Sequence, residues 1–282
     1  MTSDQTSDQQ DRARLLHALH RPGDPVLLAN VWDAAGARLV AAAGAAALAT
    51  ASASVSWTLG YPDGDRADLA EVLAQTARIV RAAGALPVTA DLESGFADTA
   101  EGVGANITAL LATGAVGVNL EDGLPGPGGP LRPVEEAAAR IAAARAAADA
   151  AGVALFVNAR TDVFLLAVGD PADRPEHAVT RARAYLAAGA DGIFVPGVGD
   201  PDTVAALAAA VPAPLNVLAG PGAPAVPELA KLGVARVSLG PGLARAAYAA
   251  LRLAAEEAYG PGTYDGIAGG LGYQELNALL AD

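Results

Sequence analysis

Carboxylates that end apolar runs are the residues of this chain best suited to chemistry. PVTADLESG (87–95), VGVNLEDG (116–123) and ALFVNARTD (154–162) each pass from a Val/Ala/Leu stretch into acids, an amide or an arginine. A parallel strand buried on both faces reads as such a run, so Asp91, Glu93, Glu121, Asp122 and Arg160 are expected where strands leave the core. That rim is where parallel α/β proteins build their sites. Three converging acids with no lysine beside them repel one another, and a divalent cation removes the conflict. Carboxylate oxygens of this kind suit Mg²⁺, with Mn²⁺ as the alternative.

Absent residue types exclude much other chemistry. With no cysteine there is no disulfide, zinc-thiolate site or thiol nucleophile. The only lysine, Lys231, precedes the end of a helix, the wrong end of a barrel for a Schiff base. His17, His20 and His177 all lie in or beside helical segments, which argues against a His-ligated metal and a Ser-His-Asp triad. A formal charge of −13 argues against nucleic acid and anionic membranes as partners. Residues 1–20 lack the apolar core of a signal peptide, and the uncharged stretch from Leu39 to Pro62 is too weakly apolar to span a bilayer. A cytoplasmic location is the expectation.

The elements that must hold these residues recur as one unit: an Ala-rich helical segment, a glycine, then an apolar run. Gly44, Gly84, Gly114, Gly152, Gly189 and Gly233 occupy the junctions, as left-handed residues closing helices do. Strands are expected at 26–30, 45–50, 87–90, 117–121, 155–159, 192–196, 215–218 and 235–239. Helices fall at about 33–43, 68–83, 99–113, 134–151, 177–188, 201–210, 226–232 and 242–258, the first capped by Asp33. Eight such units predict an α/β protein, a (β/α)₈ TIM-type barrel over 21–258. Residues 1–20 are an N-terminal tail and helix, with 1–10 reading as disordered, and 259–282 are a C-terminal helical extension. A doubly wound open sheet is the runner-up, but no Gly-rich phosphate fingerprint opens any βα turn.

In this frame four motifs resemble those of the isocitrate lyase/phosphoenolpyruvate mutase superfamily, in the same order and spacing from Val26 to the C-terminus. ADLESG (90–95) resembles its Asp-x-Asp-x-Gly metal motif, with Glu93 for the second Asp. NLED (119–122) resembles its metal-shell Glu, NARTD (158–162) its substrate arginine, and LGYPDG (59–64) the loop with a further active-site Asp. The resemblance implies that Asp91 binds Mg²⁺ directly while Asp63, Glu93 and Glu121 hold its water ligands. Arg160 would pair with a substrate carboxylate or oxyanion, Thr50, Ala51 and Ser52 would offer backbone N–H groups, and Trp32 would wall the pocket. Asp63, Glu121 and Arg160 form the implied catalytic set, acting on a small 2-oxo or 2-hydroxy (di)carboxylate through a metal-stabilised enolate. An exchanged C-terminal helix is implied too, and with it a homodimer or homotetramer.

Departures from the pattern narrow the reaction. GLPGPGGPLRP (123–133) has no Cys, Lys or His where the lyases carry a Lys-Lys/Arg-Cys-Gly-His loop. Pro196 stands where the mutases carry a His, and Ala51 where the family has Ser, with Ser52 or Thr50 as substitutes. Carbon–carbon lyase activity on a substituted malate or related acid is the first expectation. Phosphonopyruvate mutase or hydrolase activity is second, and a non-catalytic 2-oxo-acid-binding barrel third. Several residues keep two readings: Arg160 as anchor or counter-ion, Tyr61 as acid or packing, Asn119 and Asn158 as site or barrel-mouth polar groups, and 123–130 as lid or plain loop. Asn216 is a weaker pocket candidate, and Asp122 reads as solvated.

Overall fold

The computed structural model describes residues 3–124 and 131–281. Its strands are β1 (Val26–Leu28), β2 (Asn30–Val31), β3 (Leu48–Thr50), β4 (Val88–Asp91), β5 (Gly117–Glu121), β6 (Phe156–Arg160), β7 (Gly192–Val195), β8 (Leu215–Leu218) and β9 (Arg236–Ser238). Every pairing is parallel, in the order β1-β9-β8-β7-β6-β5-β4-β3-β2. Only Ala29 separates β1, paired to β9, from β2, paired to β3. The two are one stave broken at Ala29, and they close the sheet into the expected (β/α)₈ barrel.

Helices between the staves are α2 (Ala34–Ala42), α4 (Leu69–Ala83), α5 (Ala100–Ala112), α6 (Val134–Ala151), α7 (Arg174–Ala187), α8 (Pro201–Ala210) and α9 (Val226–Lys231). The six junction glycines have φ from +61° to +102°, a conformation that costs an L side chain strain, so glycine fits these helix ends. Asp33 caps α2 by accepting from the Gly36 N–H at 2.6 Å.

Three features differ from the sequence expectations. The N-terminus is helical from α1 (Ser3–Leu19), so the expected disorder of 1–10 fails for its described part. Ala13 and Leu16 are fully buried, and the Gln9 amide donates to the Leu111 and Ala115 carbonyls at 2.9 Å each. The helix closes the N-terminal end of the barrel: a Cβ on Gly117 would lie 2.7 Å from Leu16 Cδ2, so β5 must begin with glycine there. The stretch after β3, read as loop, opens with α3 (Ser52–Leu59), whose Ala and Ser content gave no helical periodicity. The last barrel helix, α10 (Gly242–Tyr259), meets the barrel at β2 and at Trp57 and Thr58 of α3 but leaves most of its length uncovered. Only Ala244 is buried in it, while Leu251 and Leu253 are 64% and 60% exposed. On the outer face of β1, Leu27 is left half-exposed. Beyond α10 comes α11 (Tyr273–Leu280), the extra helix expected from Leu271, Tyr273, Leu276 and Leu279–Leu280. Among the described residues no helix is long and apolar enough to cross a membrane.

Candidate active site

At the C-terminal ends of the staves lies a cavity of about 210 Å³. Its lining includes Asp63, Asp91, Asn119, Arg160, Ala51 and Ser52, with the polar Asn30 and Ser238 and the apolar Leu165, Phe194, Pro196, Leu218 and Pro241. Asp91 is the last residue of β4 and Glu121 and Arg160 are the last of β5 and β6, paired in register, so three neighbouring staves deliver acids and a cation to one rim.

Asp91 is held from two directions. Its backbone N–H donates to Thr50 Oγ1 at 2.9 Å, and its Oδ2 accepts from the Ser52 N–H at 3.1 Å. Ser52 is the first residue of α3, whose opening N–H groups have no carbonyl within the helix to bind. The segment 50–52 is therefore a strand end running into a helix N-terminus rather than a loop, and its Ser52 amide is taken by Asp91. Asp91 Oδ1 is buried with no hydrogen-bond partner.

Glu93 has a left-handed backbone, φ +48°, which turns its side chain back under the 60–66 loop. There its Oε2 accepts from the backbone N–H groups of Gly64 (2.7 Å) and Asp65. Burial, opposed by the Asp65 amide and reinforced by Asp63, Asp65 and Asp91, pushes its carboxyl up to about 8. Burial first and Asp91 second raise Asp63 as well. Glu121 is raised well above the carboxylate range by burial, against the pull of Arg160. Burial is the largest cause in all three and the neighbouring acids add to it, so these carboxyls favour their neutral forms until a cation offsets their charge.

Arg160 supplies the one cation lining the cavity among the described residues. Nη1 meets Glu121 at 2.7 Å, Nε and Nη2 grip Asp162 at 2.6 and 3.0 Å, and the guanidinium lies 5.7 Å from the Phe194 ring centroid. Burial alone would lower its pKa, but Glu121, Asp162 and Asp91 outweigh that and raise it. Anchor and counter-ion are thus not exclusive readings, since the same side chain borders the cavity and pairs two acids.

Asp122, read as solvated, is 1% exposed. It accepts from Tyr185 Oη (2.6 Å), Arg181 Nη1 (3.0 Å) and the Asp162 N–H (2.9 Å). Asp122 therefore fixes the segment from which Asp162 holds Arg160. Other candidates fall outside the cavity lining. Trp32 contributes its carbonyl to Gln75 Nε2 at 2.8 Å. Tyr61 turns to Glu71, which raises its phenol. Asn216 is buried against Ser238 Oγ at 3.2 Å. The lid reading of 123–130 falls largely on 125–130, outside the described residues.

Sequence reasoning passed over Asn30, Asp162 and the apolar wall. Asn30 accepts from the Leu239 and Gly240 N–H groups at 2.9 Å each and donates to Thr50 O at 2.7 Å, tying β2, β3 and β9 at the barrel seam. It is the one polar residue ending VLLAN, and that was its signal.

The donor set fits a divalent cation. An orphaned Asp91 oxygen, oxygen-only ligands and crowded acids suit Mg²⁺. Among the described residues no three His, Asp or Glu side chains converge tightly enough to hold an ion directly, so Asp91 would be its one direct carboxylate ligand.

A (β/α)₈ barrel with acids and an arginine at its strand ends has the form of a small-molecule barrel enzyme. The chain belongs to the phosphoenolpyruvate phosphomutase family, whose model matches residues 16–259. An uncharacterized Mycobacterium tuberculosis (H37Rv) protein is 36% identical over 94% of this chain and 96% of its own. An oxaloacetate decarboxylase of Paraburkholderia xenovorans is 34% identical over 74% of this chain and 69% of its own. Among solved structures, a Burkholderia cenocepacia J2315 protein named as a candidate phosphonomutase is 47% identical, with TM-score 0.83, covering 88% of this chain and 99% of that one. Phosphonopyruvate hydrolase, solved with oxalate and Mg²⁺, is 26% identical with TM-score 0.83, covering 96% and 95%.

Proposed function

We propose that this protein is a cytoplasmic, Mg²⁺-dependent carbon–carbon lyase that decarboxylates a small 2-oxo dicarboxylate, with oxaloacetate as the first substrate to test. The make-up of the cavity carries this reading. Asp63, Asp91, Asn119 and Arg160 share its lining with Asn30, Ser52, Ser238 and the apolar Leu165, Phe194, Pro196 and Leu218, and no Lys, His or Cys is among the lining residues. Residues 125–130 are Pro-Gly-Pro-Gly-Gly-Pro and bring no charge or proton donor. Loss of CO₂ is a cleavage that asks no side chain to take a proton from, or give one to, the leaving group. The decarboxylase relative supports it.

Asp91 would hold the ion directly, with Asp63, Glu93 and Glu121 holding its waters. When bound, Mg²⁺ supplies positive charge against the 1-carboxylate and 2-oxo oxygen. Arg160 would add a second positive charge where enolate charge develops. The apolar lining residues Phe194, Leu218 and Pro196 would favour uncharged CO₂ over the bound carboxylate where they meet it. The C3–C4 bond breaks, its electron pair passes through C3 to the C2 oxygen, CO₂ departs, and a solvent proton at C3 yields the 2-oxo monoacid. Phosphorus–carbon chemistry is the second reading, favoured by the candidate phosphonomutase's 47% identity.

Pyruvate formation from oxaloacetate, phosphonopyruvate and substituted malates in the presence of Mg²⁺ tests the reading. The Asp91→Ala protein serves as baseline for the spontaneous metal-catalysed reaction. Oxaloacetate turnover above that baseline, lost with chelator, is expected. Turnover of phosphonopyruvate alone would overturn it. Assembly through α10 and α11 into a homodimer or homotetramer belongs to the same proposal, supported by the exposed leucines of α10 and the uncovered Leu27.

A further inference from the structure

The geometry points to Asn119 as a neutral hydrogen-bond donor to the substrate, oriented from beneath by Arg236; this rests on the cavity being the 2-oxo-acid site proposed above. Asn119 sits mid-strand in β5, level with Asp91 on β4 and Asn158 on β6, and lines the cavity. A carboxamide presents an acceptor on one side and a donor on the other, and only its partners decide which faces where. Here they decide it. Asn119 Oδ1 lies 3.1 Å from Arg236 Nη2 and 2.9 Å from Asn158 Nδ2. A guanidinium has no acceptor, so the oxygen must point to Arg236, and the NH₂ group is left for the cavity.

Arg236 is otherwise hard to account for. It stands on β9 inside the barrel, 1% exposed, with Nε and Nη1 unpartnered and no carboxylate paired with it among the described residues. Asp91 is near enough for its charge to favour the guanidinium but does not pair with it; burying a guanidinium without a paired anion is unfavourable, and methionine of similar length would fill the space. What a methionine cannot do is fix the Asn119 amide. Around the site Asp63, Asp91, Glu93 and Glu121 present only acceptor oxygens when ionised. An amide donor directs a substrate oxygen without adding charge, so Arg236 is a positioning residue acting through Asn119.

Oxalate is the probe, titrated calorimetrically into Mn²⁺-loaded protein, with melting temperatures recorded alongside. Asn119→Ala and Arg236→Met are each expected to weaken oxalate binding about 10-fold or more. In the double variant Arg236→Met should add nothing, because its effect runs through the lost amide. Equal losses in both backgrounds, or unchanged affinity in Arg236→Met, would overturn the inference. Should Arg236→Met fail to fold, Asn158→Ala removes the other donor and is expected to weaken binding only where Asn119 is present; an equal effect without Asn119 counts against the inference. Wild-type protein that binds no oxalate would instead overturn the reading of the site and the inference with it.

Discussion

Replacing Arg160 by alanine tests the charge balance of the rim. The substitution leaves Glu121 and Asp162, with side chains only 16% and 4% exposed, facing each other without a cation. Breaking a buried ion pair by removing one partner costs about 3–5 kcal/mol. Loss of the guanidinium from beside Phe194 adds at most about 1–2 kcal/mol. Protonation of one acid limits the damage, since burial already raises both. A net loss of about 3–4 kcal/mol at pH 8 follows, or roughly 6–15 °C in melting temperature for a chain of this size. The sign of the pH dependence is fixed. In the variant the native acids titrate above their unfolded values, so native protein binds more protons than unfolded protein in that interval and stability falls as pH rises. The deficit against wild type should therefore be small at pH 5 and largest at pH 8. Urea unfolding without added metal, followed by Trp32 and Trp57 fluorescence, measures it. A deficit independent of pH, or absent, would refute the pairing of Arg160 with both acids.

Asp91→Ala should abolish Mg²⁺ binding in calorimetry while the protein stays folded, because its carboxylate accepts only the Ser52 N–H; retained binding would remove Asp91 as ligand. Asp122→Asn keeps the shape but weakens the hold on Asp162, so oxalate affinity should fall about 10-fold and the melting temperature should drop with it. His20 is stacked on Phe156 and lowered to about 3 by burial, then by Arg236. Its folded pKa is below the unfolded one, so the stability it provides is complete above about pH 6.5 and lost at about 1.4 kcal/mol per pH unit below it. His20→Phe should lack that part of the acid sensitivity between pH 6.5 and 4.5. Sedimentation of Leu251→Glu/Leu253→Glu should show a smaller assembly than wild type; an unchanged one would exclude this face of α10 as the contact.

The strand ends were the most legible part of the chain because their chemistry is local. An acid after PVTA or an arginine after LFVNA marks a burial boundary within a few residues, and the parallel register then aligned Glu121 with Arg160 without further information. The glycine junctions were legible for a similar reason, since each left-handed φ is set by its own helix end. Pairing was not local. Nothing in NARTD says that Asp162 folds back on Arg160, or that Asp122, forty residues earlier, holds the Asp162 amide. Asp122 was misread because charge beside charge in NLED looks like a solvated edge until Arg181 and Tyr185 arrive from α7.

Two helices escaped for opposite reasons. The sequence SASVSWTL of α3 is nearly all small residues, five of them buried, so no polar face marks the helix and only its docking against the barrel shapes it. Conversely α10 has a clear apolar stripe, and that stripe was assigned to the barrel wall because helices in that chain position usually lie there. A stripe states that a face is to be covered, not by what. With Leu251 and Leu253 bare on the helix and Leu27 bare on the stave it leaves uncovered, the same unmet burial appears at two places on one chain. The apolar stripe is a property of the helix alone and so was legible, whereas what covers it depends on distant parts of the fold and was not.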